Sequence, residues 1–173
     1  MRKVGLFVLV VLALSLGCVA ADKAEVFGGY SYFRAHTGTA GISSVNTNGW
    51  DAAVTGKLNR FLGVTAEVNG ESSDNILGSG VSGSLRNFLF GPTVSFRAQK
   101  LTPFAHALFG VSRLSGDTIS TDNSFAMAYG GGVDMKINKM LAVRLGQIDW
   151  VRTQFNDATQ NNLRYSTGIV VRF

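Results

Sequence analysis

From Ala24 onward, the feature that most restricts the fold is a period of two. Leu62, Val64, Ala66 and Val68 alternate with Gly63, Thr65, Glu67 and Asn69, and Trp50, Ala52, Val54, Gly56 and Leu58 alternate with Asp51, Ala53, Thr55, Lys57 and Asn59. Extended chain turns successive side chains to opposite faces, so each segment has one apolar and one polar face. No apolar pattern at i, i+3, i+4 is sustained, which argues against helices. The alternation predicts strands at about 24–35, 48–58, 62–70, 84–97, 102–114, 124–137, 141–152 and 162–173. Their number is even, so both chain ends meet on one side.

The connections are alternately short and long. Asn59 to Phe61, Ala98 to Leu101 and Asn138 to Met140 are tight turns, whereas His36–Thr47, Glu71–Gly83, Ser115–Asn123 and Thr153–Asn161 are rich in Ser, Thr, Asn, Asp and Gly and read as loops. Most of the strands run to about 11–14 residues, beyond the ~5–6 usual in soluble sheets and enough for the ~9–11 tilted residues that cross hydrocarbon. The expected fold is all-β: an eight-stranded antiparallel transmembrane up-and-down β-barrel.

The two registers say which face meets lipid. One carries Glu25, Asp51, Lys57, Glu67, Arg97, Asp134, Lys136, Arg164 and Arg172; the other carries Phe88, Phe90, Val94, Phe96, Phe125, Met127, Tyr129, Val133, Met135, Tyr165, Ile169, Val171 and Phe173. So many charges would be costly in a dry ligand cavity, so a lipocalin-like soluble barrel is disfavoured. They suit a wet or ion-paired lumen, with the apolar register facing acyl chains. Trp50 and Trp150 flank long connections, and with Tyr30, Tyr32 and Tyr165 they suggest an interfacial aromatic girdle. Bulky Phe27, Phe33, Phe104 and Leu108 in the inward register favour a filled interior.

Composition agrees with one ordered domain: 173 residues, 46% hydrophobic, 16% charged, with 21 Gly in no triplet period, which excludes collagen and charge-rich disorder. Arg2 and Lys3 precede an uncharged apolar run from Val4 to Ala21, so residues 1–21 are expected to be an export signal and 22–173 the barrel domain. A retained helix and a lipoprotein acylated at Cys18 are the alternatives. Cys18 is the only cysteine, so the barrel has no disulfide or thiol chemistry. The net charge of +5 falls to +3 without Arg2 and Lys3, and its cations are divided among lumen, turns and rim, so nucleic-acid binding is not expected.

The segments FGGYSYFR (27–34), FLFGP (88–92), PFAHALFGVSR (103–113), FAMAYGGGVD (125–134) and QNNLRYSTGIVVRF (160–173) resemble the outer-membrane β-barrel domain family, of the outer membrane protein A type. The resemblance implies the bacterial outer membrane as location. It also implies that Tyr165, Ile169, Val171 and Phe173 form the terminal signal read by the barrel-assembly machinery. Thr167 departs from it, occupying a slot that is commonly more hydrophobic. The resemblance ends at this strand, so no peptidoglycan-binding domain is expected.

Counting from the Asn138–Met140 turn sets Asp134 opposite Arg144, an expected lumen ion pair worth only ~0.2–1 kcal/mol as a cross-strand contact. Continuing the count would send Gln147 and Asp149 into lipid, so a bulge is expected near Leu145 or Gly146, with Arg144 snorkelling to the rim as the alternative. Lys57, Glu67, His106 and Asp149 complete the polar lumen set. Arg34, Arg86, Arg113 and Arg152 occupy the outward register near long connections, where an outward Arg costs ~0–1 kcal/mol against ~2–4 at the midplane. They are expected to face lipopolysaccharide phosphates, for which a guanidinium fork is suited, or else simply to snorkel above the headgroups.

His36 falls in a loop and His106 in the lumen register opposite Thr93, so a catalytic constellation is not expected, and two His with scattered carboxylates suggest no metal. Gly130, Gly131 and Gly132 precede no helix and are read as relieving crowding in the wall. The expected role is a noncatalytic, monomeric envelope protein without cofactors that presents its loops to a host or surface ligand. A narrow pore is the first alternative and a lipid A-modifying enzyme the second.

Overall fold

The computed structural model describes residues 24–35, 45–76, 81–116, 119–155 and 158–173. The expected signal, Cys18 and His36 lie outside the described residues.

Eight strands follow in chain order: β1 (Ala24–Ala35), β2 (Val45–Lys57), β3 (Leu62–Ile76), β4 (Val81–Ser95), β5 (Leu101–Gly116), β6 (Ile119–Lys136), β7 (Leu141–Phe155) and β8 (Ala158–Arg172). Each pairs antiparallel with its neighbours, and β1 with β8, so the sheet closes on itself. Closure pairs the backbone groups that an open edge would leave exposed, the condition that hydrocarbon imposes. The turns 58–61, 96–100 and 137–140 and both ends of the described chain lie at one rim, here the turn side; the opposite rim is the loop side.

The strands begin and end where the alternation predicts at the turn side but not at the loop side. There β3 runs on to Ile76, β4 starts at Val81, β5 and β6 reach Gly116 and Ile119, and β7 and β8 reach Phe155 and Ala158. Much of the stretches 71–83, 115–123 and 153–161 read as loop is therefore paired strand, as are residues 45–47 of the stretch 36–47. Ser, Thr, Asn and Gly mark the loss of an apolar face, and a hairpin that leaves the hydrocarbon loses that face while its backbone ladder continues. Register shifts at Ser73/Ile76 and Leu114/Gly116 lie in these extensions.

The two faces divide as the registers do. Phe90 is 61% exposed on the outside, together with Phe88, Val94, Phe96, Phe125, Tyr129, Tyr165, Ile169 and Phe173, whereas Met127, Val133, Met135 and Val171 are half-buried among their neighbours. Such an apolar exterior would be untenable in water at this extent. Trp50 and Trp150 are 51% and 58% exposed, with Tyr30 and Tyr32 on the same face. Inside, Phe33, Leu89, Leu108, Ala126, Ala128 and Val151 form an apolar layer toward the loop side. Phe27, Ala53, Ala142 and Val170 form a smaller one toward the turns.

Candidate functional site

Beside those layers and out to the turn end, the lumen holds one ionic network. At the turn end Glu25 meets Arg97 at 2.8 Å, Arg172 at 3.1 Å and Lys57 at 3.5 Å, and Lys57 donates to Ser95 Oγ at 2.5 Å. Arg172 reaches Asp134 at 3.7 Å, and Asp134 accepts from Arg144 Nε at 2.8 Å. The Asp134–Arg144 cross-strand partnership is thus a buried ion pair. The Arg144 guanidinium also lies between the rings of Phe27 and Phe104, 4.1 and 4.2 Å from their centroids, a cation held on two aromatic faces. Its Nη1 donates to Gln147 Oε1 at 2.5 Å, and Gln147 Nε2 donates to Asp149 Oδ2 at 2.6 Å.

Asp149 is the hub of the loop-side half. Arg164 Nη2 donates to it at 2.6 Å and also bonds Glu67 Oε1, while His106 Nε2 lies 2.8 Å from Asp149 Oδ1. Asn69 donates to Glu67 at 3.1 Å and Asn87 to Asn69 at 2.6 Å. Asp51 accepts from Ser166 Oγ at 2.9 Å. Asp149, Arg164 and Gln147 have no exposed surface at all. Charges so enclosed persist only when paired and hydrogen-bonded. One pair of oxygens stands apart: Glu71, also buried, has no hydrogen-bond partner for either carboxylate oxygen among the described residues.

Two backbone features make this network possible. Along the ring of paired residues, His106 of β5 faces Gly130 of β6, which faces Asp149 of β7. A Cβ at Gly130 would fall on Asp149 Oδ1 and Ile148 O, so the bare glycine is what lets a carboxylate from β7 reach across β6 to the imidazole. Gly132 likewise leaves space beside the Phe104 ring. The triple glycine therefore serves packing in the wall, with no helix after it.

The second feature is the β7 bulge. Asp134 pairs with Arg144 but Val133 pairs with Gly146, and on the other side Arg144 pairs with Gly168 while Gln147 pairs with Ser166. Leu145 and Gly146 form the bulge; beyond it Gln147 and Asp149 point inward and Ile148 and Trp150 outward. Arg144 is buried at the ion pair, so the snorkelling alternative is set aside. The carbonyls freed by the bulge are met from the outer face: Thr167 Oγ1 donates to Arg144 O at 2.8 Å and Tyr165 Oη to Leu145 O at 3.0 Å. Thr167, a departure by resemblance, is here a hydroxyl with a structural task.

Placement departs from the sequence reading at three further points. Lys136, grouped with the lumen charges, is exposed at the turn rim because its strand ends there, and Arg97, paired to Glu25, remains one-third exposed. The carboxylates read as scattered are brought together: donor atoms of Glu67, His106 and Asp149 lie within 4.8 Å of one another. Arg164 already supplies that cluster with a cation by bridging Glu67 and Asp149, and a metal would meet its charge.

Arg34, Arg86, Arg113 and Arg152 are all exposed on the outer face at the loop side. Arg86 and Arg113 are direct cross-strand partners, with Gly70 on the other side of Arg86 covered by the Trp50 indole. Like charges placed opposite one another repel unless an anion lies between them.

A closed barrel with an apolar belt, aromatic flanks and an enclosed ionic interior defines a small membrane-spanning barrel of the bacterial outer-membrane type. Solved structures of that type are similar to this chain. Neisserial surface protein A superposes with a TM-score of 0.72 at 14% identity, covering 89% of this chain and 99% of that one. Ail, the attachment invasion locus protein of Yersinia pestis, gives 0.59 at 14% identity, with 89% and 100% covered. The N-terminal β-barrel domain of Pseudomonas aeruginosa OprF gives 0.59 at 8%, with 89% and 100% covered. At these identities the likeness is one of fold. No family model and no curated protein matches the chain.

Proposed function

We propose that this chain is a noncatalytic envelope protein whose rigid, closed barrel holds its loop-side hairpins at the cell surface for contact with a host or surface ligand. The observation that carries the reading is the interior. An ion-paired network runs from Glu25 to Asp149 and Arg164, and Phe33, Leu89, Leu108 and Val151 cover it on the loop side. On the turn side the cavity among Glu25, Lys57, Thr93 and Arg144 amounts to about 20 Å³, room for isolated water but not for a solute path. His106 spends its Nε2 on Asp149 inside the barrel, away from lipid, which among the described residues leaves no histidine facing a lipid A substrate.

The loop-side arginines complete the proposal: Arg34, Arg86, Arg113 and Arg152 contact lipopolysaccharide phosphates, with the opposed Arg86 and Arg113 as the principal anion clamp. Ail of Yersinia pestis, similar in fold, has been solved in complex with the heparin analogue sucrose octasulfate, a polyanion. Tyr165, Ile169 and Val171 line the outer face of β8 and exposed Phe173 follows it, where the assembly machinery would read them during insertion. The mature protein is taken to act as a monomer without cofactors.

Planar-bilayer recording tests the scaffold reading: a correctly inserted, heat-modifiable barrel is expected to stay electrically silent, and steady openings would replace it with the narrow-pore alternative. Substituting all four arginines with Gln is expected to lower lipopolysaccharide retained on purification; unchanged retention would leave them as snorkelling side chains.

A further inference from the structure

Charge is sorted between inside and outside. Every acidic side chain described (Glu25, Asp51, Glu67, Glu71, Asp134 and Asp149) is enclosed, while exposed cations stand at both rims. At the turn rim, besides Arg97, which pairs with Glu25, these are Arg60, Lys100, Lys136 and Lys139. None of the four has a carboxylate partner among the described residues.

The turns hold these cations in a fixed relation to apolar side chains. In the β2–β3 turn, Asn59 Oδ1 accepts from the backbone N–H of Phe61 at 2.9 Å and of Leu62 at 2.8 Å. In the β6–β7 turn, Asn138 Oδ1 accepts from Met140 at 2.8 Å and Leu141 at 2.7 Å. The segments Asn-Arg-Phe-Leu and Asn-Lys-Met-Leu thus make the same turn, each setting a cation at the tip and a large exposed apolar residue directly after it. Lys136 N donates to Lys100 O at 2.8 Å, so two more lysines start from neighbouring backbone positions on adjacent strands. Phe61 and Phe96, both exposed, stack at 6.1 Å beside Arg60. Below Lys139 a groove of about 480 Å³ opens on the outer wall between Met140, Leu141 and Val171, almost wholly apolar.

From this arrangement we infer an anionic-phospholipid site at the turn rim, facing the periplasmic leaflet. The acyl chain lies in the Met140–Leu141–Val171 groove, Lys139 meets the headgroup phosphate above it, and Lys100 and Lys136 hold the neighbouring anionic headgroup. Two lysines so close repel unless an anion sits between them, and a flexible ammonium suits a mobile phosphate as a point charge. An acidic soluble protein would satisfy the lysines but leave Met140, Leu141 and the Phe61–Phe96 stack in water. A bilayer satisfies both at once, cation at the phosphate plane and apolar residue beneath it. The rims are set at matching distances: Lys100 just before β5 and Arg113 within it, and Lys139 just before β7 and Arg152 within it, are 13 residues apart, ~43 Å along the strand and on the order of 30 Å along the barrel axis at a tilt of about 45°.

The test is electron paramagnetic resonance of the refolded barrel in bilayers containing spin-labelled phosphatidylglycerol or spin-labelled phosphatidylcholine. A several-fold preference for the phosphatidylglycerol label is expected, abolished by Lys100→Gln, Lys136→Gln and Lys139→Gln together and retained when Arg86, Arg113 and Arg152 become Gln. The heat-modified mobility of each variant shows that it has folded, and Lys→Arg at the three positions is expected to keep the preference. Equal occupancy by both labels in the unmodified barrel, or a preference that survives the triple Lys→Gln change, would overturn the site. Loss of preference on changing the loop-side arginines instead would overturn its position.

Discussion

Arg164 shows what enclosure does to a single side chain. Its guanidinium has no exposed surface and bridges Glu67 and Asp149, so removing it leaves two carboxylates uncompensated. Arg164→Leu is expected to cost about 3–5 kcal/mol in urea unfolding from lipid vesicles. Combining it with Glu67→Gln and Asp149→Asn should recover most of that loss; no recovery would mean that Arg164 acts through packing. Thr167→Val keeps the shape and deletes the donor to Arg144 O, and is expected to cost about 1–2 kcal/mol, with Thr167→Ser close to the parent. An unchanged Thr167→Val variant would show that the bulge carbonyl finds another donor. Of these residues the sequence displays the Asp134–Arg144 pair, because a known turn lets one count across a hairpin. It conceals His106–Asp149, whose partners sit two strands apart across Gly130: alternation assigns a face to each residue, but not how far a side chain reaches past a residue that has none.

At the scale of the element, β7 is two strands of opposite phase joined at Leu145–Gly146. Deleting Leu145 takes out the extra residue, so strict alternation then keeps Arg144, Gln147 and Asp149 toward the lumen and Trp150 toward lipid; deleting Leu145 and Gly146 together reverses the facing, with Asp149 in lipid and Trp150 in the lumen. The expected outcome is that the double deletion does not reach the heat-modifiable folded form, whereas the single deletion and Leu145→Ala do. A double deletion that folds like the parent while the single deletion fails would contradict the bulge. This irregularity was legible in the sequence because a carboxylate in lipid is too costly to accept. The loop-side extensions were not, since a polar hairpin above the membrane has the composition of a loop and only its backbone pairing reveals a strand.

For the whole molecule the ordering principle is separation: among the described residues the carboxylates are enclosed with the cations that pair them, the remaining cations stand at two rims, and apolar side chains belt the outer face between them. Alternation made the barrel and its facing readable, since lipid and lumen impose opposite demands on successive residues. The arrangement of the lumen, an ionic network threaded past two apolar clusters and reaching the turn end, depends on eight strands being brought into register at once and is written in none of them singly. The separation itself can be tried directly, because the strands contain no cysteine of their own. Single cysteines along β7 at 143, 145, 148 and 150, spin-labelled in a bilayer, should all be relaxed by oxygen dissolved in the acyl chains, with the period of two broken between 145 and 148. A label at 147 that shows lipid contact equal to theirs, or an unbroken alternation in which 148 and 150 are shielded from oxygen, would contradict the account.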